Sequence, residues 1–100
     1  MIDAAKEAIT FAEGKSRRDL NTDRMMVLSV IKEIEIIGEA ASKISYKLIE
    51  EHSHIPWKDI TGMRNHLVHG YFEVDLDLVW NTINEDLPDL IKLLNELIDK

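Results

Sequence analysis

Apolar side chains recur along this chain at three- and four-residue steps, the spacing of one face of an α-helix. Ile2, Ala5, Ile9 and Ala12 form the first such run, which predicts a helix from Ile2 to Glu13 with Gly14 as its stop. The polar stretch KSRRDLNTDR follows and predicts a loop or short helix. Asn21, Thr22 or Asp23 then caps the next helix by accepting its free backbone amides. That helix is the longest, about Asp23 to Glu51, with a core stripe of Ile31, Ile34, Gly38, Ala41, Ile44 and Leu48. Val27, Val30, Ile36 and Ile37 widen the stripe and imply burial on two sides. Gly38 costs about 1 kcal/mol relative to Ala in a helix interior. With Ala40, Ala41 and Ser42 it lets a second backbone come close, either within one chain or across a dimer seam.

The segment HSHIPW ends that helix, and Pro56 suits the first turn of another. Trp57, Ile60 and Met63 make a short apolar face. Asp75 or Asp77 can cap the last helix, which carries Leu78, Val79, Ile83, Leu87, Leu90, Ile91, Leu94 and Leu97. Pro88 lies inside that pattern, so a kink or two abutting helices is expected at Leu87–Pro88. No alternating strand pattern stands out. The prediction is an all-α single domain over residues 1–100, a bundle of four or five helices.

Composition narrows the chemistry. At 45% hydrophobic and 31% charged, the 100 residues suit a globular domain and are too apolar for a disordered one. There is no cysteine, which removes disulfides, thiol nucleophiles and thiolate metal sites. No apolar run is long enough to cross a membrane, and acids at Asp3 and Glu7 argue against a secretory signal. A cytoplasmic location is therefore expected. The formal charge of -7 makes the chain a poor generic nucleic-acid binder, so any contact with phosphate must be local. Lys15 to Arg24 holds four bases against two acids, whereas Glu73 to Lys100 holds eight acids against two lysines. The first stretch is the best candidate for touching phosphate; the second is a solvated acidic face or a surface for a basic partner.

Between Arg64 and Tyr71 lie an arginine, an amide, two histidines and a tyrosine. Histidine moves protons near neutral pH, and arginine presents a planar fork of donors to phosphate oxygens. Together they suit phosphodiester cleavage, in which the 2′-hydroxyl of RNA supplies the nucleophile and neither thiol nor metal is needed. On a helix, Arg64 and His69 would sit about 140° apart, whereas Asn65 and His69, or His66 and His69, would share a face. A long arginine can reach round, or a second copy of the helix can complete the pocket. The Arg–His pair alone is equally compatible with a structural histidine. His66 and His69 lack a third ligand nearby, so no metal site is expected.

With these residues the chain resembles the HepT-like toxins, a branch of the HEPN superfamily. The resemblance runs from about Ile2 to Leu94. It is carried by Glu35-Ile-Ile-Gly-Glu-Ala-Ala41, Ile55-Pro-Trp57, Gly62-Met-Arg-Asn65, His69-Gly-Tyr-Phe72, Val74-Asp-Leu76 and Val79-Trp80. The family pattern of Arg, four residues, His, any residue and Tyr falls on Arg64, His69 and Tyr71, with the polar Asn65 after the arginine. The resemblance implies an α-helical homodimer whose two motifs meet at the interface, a metal-independent endoribonuclease of a type VII-like toxin–antitoxin pair. It implies a partner, an MNT-type nucleotidyltransferase antitoxin that silences the toxin by AMPylating Tyr71. Arg64 and His69 would then be catalytic and Asn65 and Tyr71 supporting. No cofactor is expected, and His66 has no assigned role. Lys15, Arg17, Arg18 and Lys58 are added as candidate RNA contacts at a dimer cleft. The rival expectation is a non-catalytic helical dimer that binds a nucleotidyltransferase, with Tyr71 a packed ring.

Overall fold

The computed structural model describes residues 1–69 and 73–98, with the backbone alone at His69 and Ile98. The helix α1 (Ile2–Phe11) buries Ala4, Ala5 and Ala8, and the chain turns away through Gly14 at φ 73°. The short α2 (Asp19–Thr22) leads into α3 (Arg24–Ser42), and of the three candidate caps it is Asp23 whose Oδ1 accepts from the Met26 amide at 3.0 Å. The long predicted helix does not continue to Glu51. It stops after Ser42, and Ser45, extended at φ -63° and ψ 148°, starts α4 (Tyr46–Glu51) by accepting from the Leu48 amide at 3.2 Å. A serine that can cap competes with helix continuation, and here the cap wins.

Next, α5 (Trp57–Leu67) begins after Pro56, and the Trp57 indole N–H donates to the His52 carbonyl at 3.0 Å. A two-residue antiparallel hairpin follows, β1 (Val68–His69) with β2 (Glu73–Val74), which periodicity did not predict. Asp75 then caps α6 (Leu76–Asn81), accepting from the Leu78 amide at 3.1 Å. The expected break near Pro88 takes the form of a π turn at Thr82–Asp86, which passes into α7 (Leu87–Ile98) without leaving helical geometry. Proline has no N–H to give and crowds the carbonyl four residues back, and a widened turn relieves both. With α6, the π turn and α7 as one rod, the described residues form six helices, more than the four or five predicted.

The core lies around α3. Its buried face (Val27, Val30, Ile31, Ile34, Ile37, Ala41) packs on α5 to one side and α1 to the other, while α7 closes on α1. Leu67, Val79 and Leu87 complete it, each fully buried. Burial of each such side chain contributes roughly 1.5–3 kcal/mol. Gly38 answers to neighbours in the same chain: a Cβ there would lie 3.1 Å from the Thr61 carbonyl oxygen of α5. The opposite face of α3 stays uncovered, with Met25, Leu28 and Ile36 exposed.

Candidate functional site

The helix α5 presents different residues on four sides, because each residue turns the axis by about 100°. Trp57, Ile60 and Leu67 are buried, and Asp59, Met63 and His66 point along a second side toward α6 and α7. Lys58 and Asn65, two turns apart, face solvent. Thr61 and Arg64 face α3, where an open groove of about 350 Å³ is lined by Lys32, Glu35, Ile36, Gly38, Glu39, Thr61 and Arg64.

In that groove Arg64 Nε lies 3.3 Å from Glu35 Oε1, with the two side chains 42% and 41% exposed. The pair is held by charge and proximity, since Nε is buried and not aligned for a hydrogen bond. Lys32 Nζ sits 3.9 Å from the other Glu35 oxygen. The pairing depends on Gly38, because the approach of α3 to α5 that a Cβ would obstruct is what brings residue 35 to residue 64. Arg64 and His66 also lie in the last turn of α5, where a cation is favoured by the helix C-terminus. Glu35 and Lys32 had no assigned role in the sequence, and no spacing along the chain ties position 35 to position 64.

His69 does not continue α5. The helix ends at Leu67, Val68 is extended at φ -119° and ψ 119°, and the Asp75 amide donates to the Leu67 carbonyl at 2.8 Å. The helical facing expected for Asn65 with His69, and for His66 with His69, therefore does not apply. The His69 backbone instead pairs with Glu73, two residues beyond the arginine's helix. The His69 side chain and Tyr71 lie outside the described residues. Asn65 is exposed on the last turn, and His66 folds back over Gly62 on the side away from Arg64.

The basic stretch is more ordered than a free loop. Arg17 Nε and Nη2 both lie 2.8 Å from Asp77 Oδ1 at the start of α6, and Nη1 donates to Asn21 at 3.0 Å. Its cation thus ties the α1–α2 connection to α6. Asp19 accepts from the Ser16 backbone amide at 2.7 Å. That bond, ahead of the neighbouring cations, holds the Asp19 carboxyl below the usual carboxylate range. Lys15, Arg18 and Lys58 are exposed and join no ion pair among the described residues. Among those residues, no three histidine or carboxylate side chains are grouped as a metal site would need.

One further ionisable group is buried. Glu33 of α3 is 8% exposed, and its Oε2 has no hydrogen-bond partner among the described residues. Burial, and then the Glu7 carboxyl, pushes Glu33 above its ordinary value. No described helix is long and apolar enough to cross a membrane.

Comparison with known proteins places these features in context. The family model described as "Ribonuclease HepT-like" matches residues 1–97. The chain is 39% identical over 88 residues to "Probable ribonuclease HepT" of Thermococcus cleftensis, covering 84% of this chain and 80% of that protein. It is 38% identical over 88 residues to "Putative RNase TTE0752" of Caldanaerobacter subterraneus subsp. tengcongensis, covering 88% of this chain and 79% of that one. A third relative, "Putative RNase MJ1380" of Methanocaldococcus jannaschii, is 34% identical over 92 residues, or 92% of this chain and 84% of its own. No solved structure gives a significant match.

Proposed function

From the premise that the chain belongs to the HepT-like ribonuclease family, we propose that it is the toxin of a HepT/MNT toxin–antitoxin pair, an endoribonuclease that needs no metal. The observation that carries this reading is the position of Arg64. Its side chain is 42% exposed and lines the α3–α5 groove, five residues before His69 and at the end of a helix. A scissile phosphate entering the groove meets Arg64, which offsets the charge that builds on phosphorus. His69 takes the proton from the 2′-hydroxyl or gives one to the departing 5′-oxygen. Asn65, on the same last turn, steadies the phosphate. Glu35 positions the arginine through Nε and leaves the Nη atoms to meet the phosphate.

A dimer completes the site in this reading. The uncovered stripe of α3, with Met25, Leu28 and Ile36 exposed, borders the groove that holds Arg64. A second copy seated on that stripe excludes water from apolar surface and brings a second Arg64 and His69 to the same cleft. It also doubles the local cation density that the net charge of -7 otherwise denies to RNA. Lys15, Arg18 and Lys58 then supply outer phosphate contacts, whereas Arg17 first has to release Asp77. A nucleotidyltransferase transfers AMP from ATP to the Tyr71 hydroxyl, with pyrophosphate leaving; this adds bulk and negative charge two residues from His69, which repels RNA phosphate and silences the enzyme.

The test is cleavage of a mixed RNA pool in EDTA by the wild type and by His69→Ala, with equal melting temperatures established first. Cleavage by the wild type alone is the expected result. If both proteins cut equally, His69 has no part in the chemistry. Where neither cuts, intact mass separates the cases: a wild type heavier by whole AMP units is a silenced toxin, and an unmodified inactive one is a binding module.

A further inference from the structure

A second groove lies on the other side of α5, away from Arg64. The main helix contacts run α5 to α3, α3 to α1 and α1 to α7, while α5 meets the α6–α7 rod mainly through α6, which leaves α5 and α7 apart beyond that contact. The gap between them is a groove of about 560 Å³. Its floor is apolar and includes Ile60, Met63, Leu78, Leu90 and Leu93, and Leu78 is 40% exposed. The rim is acidic on both sides. Asp59 stands on the α5 wall together with His66, and Asp86 and Asp89 stand on the wall formed by the π turn and α7. None of the three carboxylates joins an ion pair among the described residues.

We propose that this groove is the docking site for an amphipathic basic helix of a partner protein. Such a helix has an apolar stripe for the floor and lysine or arginine along both borders of that stripe, facing Asp59 on one side and Asp86 and Asp89 on the other. Seated there, it fills the missing place between α5 and α7 and covers Leu78. The recognition mode is a helix in a groove, with anchors at three- and four-residue spacing. The rim decides against two other occupants. RNA phosphate is repelled by three carboxylates, and a second copy of the groove brings the same acidic rim against itself. The inference stands apart from the nuclease reading, because no groove residue belongs to the proposed catalytic set.

The probe is a fluorescein-labelled synthetic helix of about four turns, with leucine anchors flanked by lysine and arginine, read by fluorescence anisotropy. A control peptide keeps the leucines and carries glutamate instead. The basic peptide is expected to bind at least tenfold more tightly than the acidic one and to weaken with added salt. Asp86→Asn with Asp89→Asn, both exposed positions, should weaken binding about threefold to tenfold and flatten the salt dependence at unchanged melting temperature. Leu78→Asp should abolish binding while RNA cleavage persists. Equal affinity for both peptides overturns the proposal. So does undiminished binding of the basic peptide to the Leu78→Asp variant, since the groove then is not the binding site. Sedimentation showing self-association that Leu78→Asp disrupts also overturns it, since the occupant is then a second copy.

Discussion

Replacing Gly38 with alanine tests whether the contact between α3 and α5 fixes the site. Gly38 and Gly62 both lie inside helices, so Gly→Ala at either position gains about 1 kcal/mol of helix propensity. Their surroundings differ. A Cβ at 62 meets only His66 Nε2 at 3.8 Å, an ordinary contact with the end of a side chain. A Cβ at 38 meets the Thr61 carbonyl oxygen at 3.1 Å and the Ile60 carbonyl oxygen at 3.5 Å. Both are helix backbone, so relief requires the two helices to move apart. Overpacking of this kind costs about 1–3 kcal/mol, which cancels or exceeds the propensity gain. Gly62→Ala should therefore melt about 4–8 °C higher than wild type, and Gly38→Ala should melt below Gly62→Ala by a similar or larger interval. Thermal unfolding followed by circular dichroism reads both. The two variants also differ in function, because parting the helices separates Glu35 from Arg64, so Gly38→Ala should lose RNA cleavage more than its stability loss explains. If Gly38→Ala is as stable as Gly62→Ala and cuts RNA like the wild type, the close approach has no role in building the site.

Three other outcomes follow from specific contacts. Glu35→Gln removes the carboxylate that shares the charge of Arg64, so RNA affinity in a filter-binding assay with His69→Ala as background should rise about twofold to fivefold, the range of an exposed ion pair. Glu33 has a raised value in the folded state, so its stabilising contribution is fully present below its unfolded value near 4.5 and is lost as pH rises through the folded value. Glu33→Gln should then melt above wild type at pH 7 and lose that advantage as pH falls to 4, measured by thermal melts across the range; a gain that is independent of pH refutes the cause assigned. Ser45→Ala removes the cap of α4 and should cost about 1 kcal/mol by urea unfolding, with no effect on α3.

The helical class, the stop at Gly14, the disturbance before Pro88 and short lists of cap candidates that include Asp23 and Asp75 were all legible in the chain alone. Each of these rests on chemistry local to a few residues: a side-chain oxygen reaching an amide two or three positions on, a glycine free to take positive φ, a proline without an N–H. Family membership was legible for the same reason, since the quoted stretches read in order along the chain. Ser45 was an available local signal too, and it was overridden in the reading by an apolar stripe that ran past it to Leu48. What depends on positions far apart was settled by packing. It placed Gly38 against Thr61 and so Glu35 against Arg64, committed Arg17 to Asp77, and moved His69 out of the helix into a strand. Periodicity carries the direction of one side chain relative to its own axis, and the distance between two axes is set by the packing of both. The motif's arginine could therefore be found from its neighbours in the chain, whereas the carboxylate that holds it became visible only when α3 and α5 were laid together.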